Sequence, residues 1–549
     1  MFAGIWYNLS MNKDRFTREQ LNTLDKDILI TLLLGMQEKL DQQTAAIEKL
    51  TEQIALMNTR TFGRKSEKLR MDEDQLSLFA EIFNEAEALS DGQQMIEPSV
   101  DTVIVPEHKR RRRKGKLDED LACFETKVIE HTLAEEELAA HFPQGYSRLP
   151  DEVYRKLELI PAVFEVHEHH IAVYRGKNGK IVKAEHPKEM LDGSIATPSL
   201  VSAIINSKYT NAVPLYRQEQ EFARNDANIS RQTMAGWVIR TAERYISLIY
   251  DRLKEELGKS RVIHADETPV MVTKDGRESM HKNYMWVYRS GSLCRARQIV
   301  IYDYQKTRKA EAPYEFLKGF EGGLVCDGYQ VYHTLENRDD TNFTVAGCWA
   351  HARRPFAQVC KSLGEKRASG TVAAEGLVQI QNIYQTDKTL LKLPPSERKK
   401  RRKMLVKPLV DAFFKWCTES LGRVPPSSET AEGIRYCLNQ EKYLRVFLTE
   451  PRIPIDNNLA EQAIRPFCVG KKNWKLIDTV SGAEASAMLY SIVETAKAND
   501  INIYQYLRHL LTEIPKHMDD TDLSFVENLL PWSEALPDIC RKRSRSKSE

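Results

Sequence analysis

Two short aliphatic runs in this chain each lead into an aspartate. Asp266 follows Val262 and Ile263 in RVIHADETPVMV, and Asp327 follows Leu324 and Val325 in GGLVCDGYQVYH. Such runs read as buried strands carrying an acid at or near the end. An unpaired charge there is costly, so a partner or ligand is expected beside it. Gly322, Gly323 and Gly328 flank Asp327 and would let a backbone or ligand approach closely. A third acid, Glu461, lies in PIDNNLAEQAIRPFCVGKKNW, a polar segment that opens a helix with Asp456, Asn457 or Asn458 as candidate caps. Two strand-borne aspartates and one helix-borne glutamate can converge. Hard divalent cations take oxygen ligands, and two Mg²⁺ ions about 3.5–4 Å apart clamp both oxygens of an in-line phosphoryl displacement. With 78 Asp plus Glu in the chain, spacing alone would not single out these three; their settings do. Glu494, on a later helix, is the rival third carboxylate.

Composition sets the bounds. A chain of 549 residues should hold several domains, and 42% hydrophobic with 29% charged residues fits a protein with real cores. Net charge is only +2, so any nucleic-acid affinity must come from local patches. Nine cysteines with no CxxC pair argue against a disulfide framework or a zinc ribbon and fit a reducing cytoplasm. The apolar run ILITLLL is too short to span a bilayer, so no membrane partner is expected. MFAGIWYNLS lacks a basic n-region, which predicts no secretory signal; Met11 is a second candidate start.

Along the chain, residues 21–70 begin with a helix. Leu33, Leu40, Ile47 and Ile54 recur every seven residues, with Leu29, Met36, Leu50 and Met57 at the companion spacing and Gln43 breaking it. This is a short coiled-coil pattern, pointing to a homo-oligomer, with an amphipathic helix packed on its own domain as the alternative. Residues 71–119 form a linker containing KRRRRKGK, in which Lys109, Arg110, Arg111, Arg112 and Arg113 can hold phosphates non-specifically. Residues 120–197 read as a small β-rich domain with a hairpin at 177–180; strand alternation would send His169 and His170 to opposite faces. In 198–258 a helix, a polar turn and a second helix give either a DNA-reading helix pair or a brace for the core. Strands at 261–272, 283–289, 296–304, 323–327 and 342–347, with a helix near 312–319, form an α/β block at the start of a core spanning 259–500. Asp266 and Asp327 are 61 residues apart; Asp327 and Glu461 are 134 apart, too far for one connection, so a helical insertion at about 357–455 is expected. A helical segment at 501–537 and a basic tail at 538–549 complete the chain.

The words HADET, CDGYQVYH, CWAHARRPF and DNNLAEQAIRP with GKKNW resemble those of insertion-sequence-66 family transposases. TRTFGRKSEKL, KYTNAVPLYRQEQEF, ISRQTMAGWV and LLPWS add to the resemblance, in order, over roughly residues 20–535. The resemblance implies a multidomain α/β protein: a ribonuclease H-like DDE core with Asp266, Asp327 and Glu461 holding two Mg²⁺ (Mn²⁺ as a substitute). Its partners would be the DNA of element ends and target, and companion proteins of the same element. His351 of CWAH would support the site or face phosphate, and Arg353, Arg354, Arg465, Lys471 and Lys472 would meet DNA backbone. Trp474 reads more readily as core than as a base-stacking platform. The family usually carries zinc-binding CxxC pairs in the β-rich domain. Here FPQG and YRGKNG stand near those places, and Cys348 with His351 offers two ligands, so no resident zinc is expected. A nuclease that cuts without joining, and a decayed, non-catalytic DNA-binding protein, are the alternatives.

Overall fold

The computed structural model describes residues 25–31, 33–39, 43, 54, 164–175, 181–184, 188–277, 281–291, 293 and 297–542. Lys109–Arg113, most of the heptad segment, residues 71–163 and the end of the tail lie outside the described residues. Leu33, Met36 and Ile54, three of the seam positions, present their side chains to solvent. β1 (Val173–Arg175) and β2 (Ile181–Lys183) pair antiparallel around the expected hairpin, Tyr174 opposite Val182. Residues 164–172 precede any ladder, so the expected alternation of His169 and His170 across a strand does not hold. His167 and His170 stand in solvent beside Glu165 and Glu168.

Four helices come next: α1 (Pro198–Ile205), α2 (Leu215–Arg224), α3 (Arg231–Thr241) and α4 (Ser247–Gly258). The Ser230 hydroxyl caps α3 by accepting from the Thr233 amide at 3.1 Å, and Glu219 of α2 accepts from the Arg231 amide at 3.0 Å. That second bond ties the polar turn shut. Met234, Trp237 and Val238 of α3 and Ile249 and Leu253 of α4 are buried in one hydrophobic core with the sheet that follows. Arg217, Arg224, Arg231 and Arg240 are all exposed.

β3 (Val262–Lys274), β4 (Lys282–Ser290) and β5 (Val300–Gln305) form an antiparallel meander. After α5 (Glu311–Leu317), β6 (Glu321–Val325) joins the other side of β3 in parallel. After α6 (Gln330–Glu336), β7 (Asn342–Ala346) joins β6, again in parallel. The order is β5-β4-β3-β6-β7, and β8 (Ile477–Thr479) pairs with the far end of β3. Gly322 and Gly323 serve this packing, not a ligand. A Cβ on Gly322 would lie 2.4 Å from the Arg261 carbonyl oxygen, and one on Gly323 2.5 Å from Ile453 Cδ1.

Between β7 and Glu461 stands a helical segment, the insertion for short. Its main helices are α7 (Trp349–Leu363), α8 (Val372–Leu390), α9 (Lys407–Ser420) and α10 (Glu429–Asn439). They enclose a second core around Trp349, Phe356, Phe413 and Ile434, which reaches the sheet at Val262, Val325 and Ala346. The basic run SERKKRRK is split by helical periodicity. Arg398 and Arg402 are buried, while Lys399, Lys400, Arg401 and Lys403 are exposed. Arg402 pairs with Asp387 at 2.7 Å and donates to the Phe447 and Ile453 carbonyls at 2.6 and 2.9 Å.

The chain returns through α11 (Asn458–Trp474) to α12 (Val480–Ala498) and α13 (Ile503–Glu513). An amphipathic pair is expected here, but α12 is buried at nearly every position from Ala485 to Ala496. The reason is its place on the edge strand β5. Its Ser491 hydroxyl accepts from the Tyr302 amide at 2.7 Å, and Thr495 accepts from the Val300 amide at 3.0 Å. The strand edge is thereby satisfied without another strand.

Candidate active site

Asp266 is not at a strand end, as its run suggests, but is the fifth residue of thirteen in β3. The parallel pairing with β6, however, stops at His264 opposite Val325. Asp266 and Asp327 each lie two residues further on. They therefore sit at one level where two adjacent parallel strands part, and a two-residue step keeps both on one face. Crevices at the carboxyl ends of parallel strands are where open α/β sheets bind ligands. The Asp327 carboxylate accepts from the Tyr329 amide at 2.9 Å, which fixes the bend into α6.

Glu461 arrives in the first turn of α11. Burial pushes its carboxyl up; Arg354 pulls it back, Asp456 pushes again, Arg465 pulls and Asp327 pushes. Asp266 is held well above the usual carboxylate range, by burial first and then by the charges of Glu267, Asp327 and Glu461. The charges of Asp327 and Glu461 thus make ionisation of Asp266 harder, and that of Asp327 does the same to Glu461. His351, in the first turn of α7, places Nδ1 3.5 Å from Glu461 Oε1, and Arg354 places Nη2 3.6 Å from the same oxygen. Burial, and then Arg354, lower the imidazole to about 4, so it is neutral at neutral pH.

Asn457 holds this assembly together, and its role is not the expected cap. Its side chain makes no capping bond to α11. Its Oδ1 lies 2.9 Å from His264 Nδ1, and its Nδ2 donates to the Ala265 carbonyl at 2.8 Å. Its amide donates to Cys348 Sγ at 3.2 Å. One residue therefore ties β3, the start of α7 and the start of α11, the last two being the elements that carry His351 and Glu461. Asp456 takes the capping role, accepting from the Asn458 amide at 3.2 Å.

A second brace lies behind the aspartates. Arg308 donates to Glu267 through Nε at 2.8 Å and through Nη2, and its guanidinium stacks 3.9 Å from the Tyr329 ring centroid. The Tyr329 hydroxyl donates to the Arg308 carbonyl at 2.8 Å. Nothing in the sequence pairs Arg308 with Glu267 across 41 residues. The DNN run was the available signal for Asn457.

The other expected positions divide. Arg353 acts on Tyr384 of the insertion, whereas Arg354 faces Glu461. Arg465 follows Glu461 by one helical turn, and its charge reaches that carboxylate. Lys471 ties α11 to β3, donating to the Pro269 carbonyl at 2.7 Å; Lys472 is exposed. Trp474 is partly buried against the core: a Cβ on Gly470 would lie 2.1 Å from its Cη2, and Lys208 sits 5.7 Å above its ring. Glu494 is on α12 over β5, two strands from β3. Burial raises its carboxyl, and Lys497, 3.6 Å away, and Arg289 pull it back. Among the described residues no helix is long and apolar enough to cross a membrane.

The family described as Transposase IS66 matches residues 193–485, and its C-terminal element matches 491–532. A third match, described as Transposase C of IS166 homeodomain, covers residues 49–122. Uncharacterized protein y4qI of Sinorhizobium fredii (strain NBRC 101917 / NGR234) is 28% identical over 501 residues, 89% of each chain. Uncharacterized protein y4jD of the same strain is 27% identical over 395 residues, 70% of this chain and 76% of the relative. The first family match spans both aspartates, the insertion and Glu461, and by it the chain belongs to the IS66 family of transposases.

Proposed function

We propose that the chain cleaves and joins DNA strands at the ends of a mobile insertion element by a DDE mechanism on a ribonuclease H-like core, with Asp266, Asp327 and Glu461 as metal ligands. The carrying observation is that the charges of Asp327, just past β6, and Glu461, on α11, both bear on buried Asp266 of β3, and that of Asp327 bears on Glu461 as well. Like charges converging on two buried acids, Asp266 and Glu461, fit a site built for a dication, because divalent charge relieves the repulsion. The strand order β5-β4-β3-β6-β7, three antiparallel and then two parallel, supports the core assignment.

In this reading residues 259–500 form the catalytic core, with about 357–455 inserted. Two bound Mg²⁺ ions would supply an activated water, later a DNA 3′-hydroxyl, and stabilisation of the leaving oxygen. The residues of the chain do the rest. Asn457 fixes the angle at which Glu461 meets the aspartates. Arg354 and Arg465 offset negative charge around Glu461 and are placed to meet a flanking phosphate. His351 is neutral and does not compete as a cation. The homeodomain description over 49–122 includes Lys109–Arg113 and supports that stretch as a DNA contact. The exposed heptad positions support pairing of two chains, each bringing one element end.

The test mixes purified protein, Mg²⁺ and labelled DNA carrying the inverted repeats that flank the gene. Joined products are expected. Cut products alone would favour a nuclease, and a mobility shift alone a non-catalytic binder.

A further inference from the structure

We propose that Cys348, His351 and Glu461 form a binding site for a thiophilic transition metal, Zn²⁺ foremost, which withdraws Glu461 from the Mg²⁺ role and so brakes cleavage. The sequence offers Cys348 and His351 as a pair; the fold supplies the third donor. One ligand atom from each lies within 4.8 Å of the other two. Cys348 is the residue that begins α7, and His351 is three positions on, so both face one side of the opening turn. Glu461 comes from the opening turn of α11, and the Asn457 amide bond to Cys348 Sγ holds the two helix starts together.

Two details point to a ligand. His351 Nδ1 and Glu461 Oε1 are buried and have no hydrogen-bond partner, and they face each other at 3.5 Å. Buried polar atoms are nearly always satisfied, so a facing pair of orphans is unusual. The donor set is the second detail. Thiolate, imidazole and carboxylate are what zinc takes, with a fourth position left for water. Mg²⁺ takes oxygen and leaves sulfur aside. One site would therefore discriminate between the two metals through Cys348.

The rearrangement needed is small. Zn–S of about 2.3 Å and Zn–N of about 2.0–2.1 Å put tetrahedral donors roughly 3.3–3.7 Å apart. The three groups must close by about an ångström, within reach of side-chain rotation. His351 and Glu461 are 22% and 19% exposed, which leaves a way in for the ion. Arg354, 36% exposed, must swing outward. On binding, the Cys348 S–H bond breaks, sulfur bonds to zinc as thiolate and the proton leaves to solvent; the metal's own charge drives that loss. No redox change is involved.

The binding claim rests on geometry alone, whereas the brake rests also on Glu461 as a catalytic ligand. Co²⁺ is the probe, because cobalt bound to thiolate gives a near-ultraviolet charge-transfer band that Mg²⁺ sites lack. Metal-free full-length protein is titrated with Co²⁺ and then with Zn²⁺, and end cleavage is followed in parallel at fixed Mg²⁺. The expected result is one cobalt band per chain, bleached by Zn²⁺. The band should be lost in Cys348→Ser and His351→Ala and kept in Cys437→Ser, a buried cysteine elsewhere in the insertion. Circular dichroism checks that each variant folds, and His351→Ala serves if Cys348→Ser does not. No band, or a band unchanged by both variants, overturns the site. A band that maps to Cys348 and His351, with cleavage undiminished at saturating Zn²⁺, upholds the site and counts against Glu461 as the third catalytic carboxylate.

Discussion

At the scale of single residues, Asn457 ties β3 to the helix start that carries Glu461. Asp266, Asp327 and Glu461 stand in short words whose strand or helix setting can be read locally. Asn457 reads as a cap but works across 193 residues, and the Glu267–Arg308 bond exists only once β3 and the α5 loop meet. Asn457→Ala should lower metal affinity or cleavage by about 10–100-fold while leaving Glu461 chemically intact, as loss of a group that orients a ligand typically does. Metal titration compared with circular dichroism would check it. The raised carboxyl of Asp266 gives a pH test. A raised acid favours the fold while protonated; that contribution is complete below the ordinary value of 3.8 and is lost as pH rises through the folded value. His264 and His351, both held at about 4 by burial, act in the opposite sense and destabilise as pH falls below 6.5. The comparison is therefore between variants: the excess in Tm of Asp266→Asn over the metal-free parent should grow with pH. Mg²⁺ should raise the Tm of the parent and not of the variant. A gap that is flat with pH would mean that Asp266 is not ionised at a cost.

At the scale of elements, periodicity predicted most strands and helices within a few residues, because alternation and capping are local. It failed where tertiary contact decides. The SERKKRRK run looks uniformly basic, yet a four-residue step turns Arg398 and Arg402 inward to bind helix-end carbonyls and Asp387. Asp387→Ala should leave Arg402 buried without its counter-charge and cost about 3–5 kcal/mol, enough to loosen the insertion. Replacing both residues by apolar ones of similar volume should cost much less. Urea unfolding of the parent and the two variants separates the cases. The GKKNW word is similar: its glycine is packing, since Gly470 lets Trp474 lie flat against α11. Gly470→Ala should destabilise by about 1–3 kcal/mol through overpacking, read as a lower denaturation midpoint.

At the scale of the whole molecule, the sheet, α1–α4 and α12–α13 share one core, and the insertion builds a second against the face that carries Asp266. Sequence reading separated these segments because it sees connections and not shared packing. The apolar seam at Leu33 and Met36 lies on neither core and is exposed. Leu33→Glu with Met36→Glu should abolish chain pairing in light scattering without shifting the melting of the core; unchanged pairing would place the dimer contact elsewhere. On the proposed mechanism, three carboxylates from β3, the turn after β6 and α11 form one metal-dependent cleavage centre. Its most direct measurement pairs Mn²⁺ binding, read by electron paramagnetic resonance, with end cleavage in Asp266→Asn, Asp327→Asn, Glu461→Gln and Glu494→Gln. Each of the first three should lose bound Mn²⁺ and cleavage together while still shifting element-end DNA, and Glu494→Gln should keep both. Full Mn²⁺ binding and cleavage in Glu461→Gln, with both lost in Glu494→Gln, would contradict it.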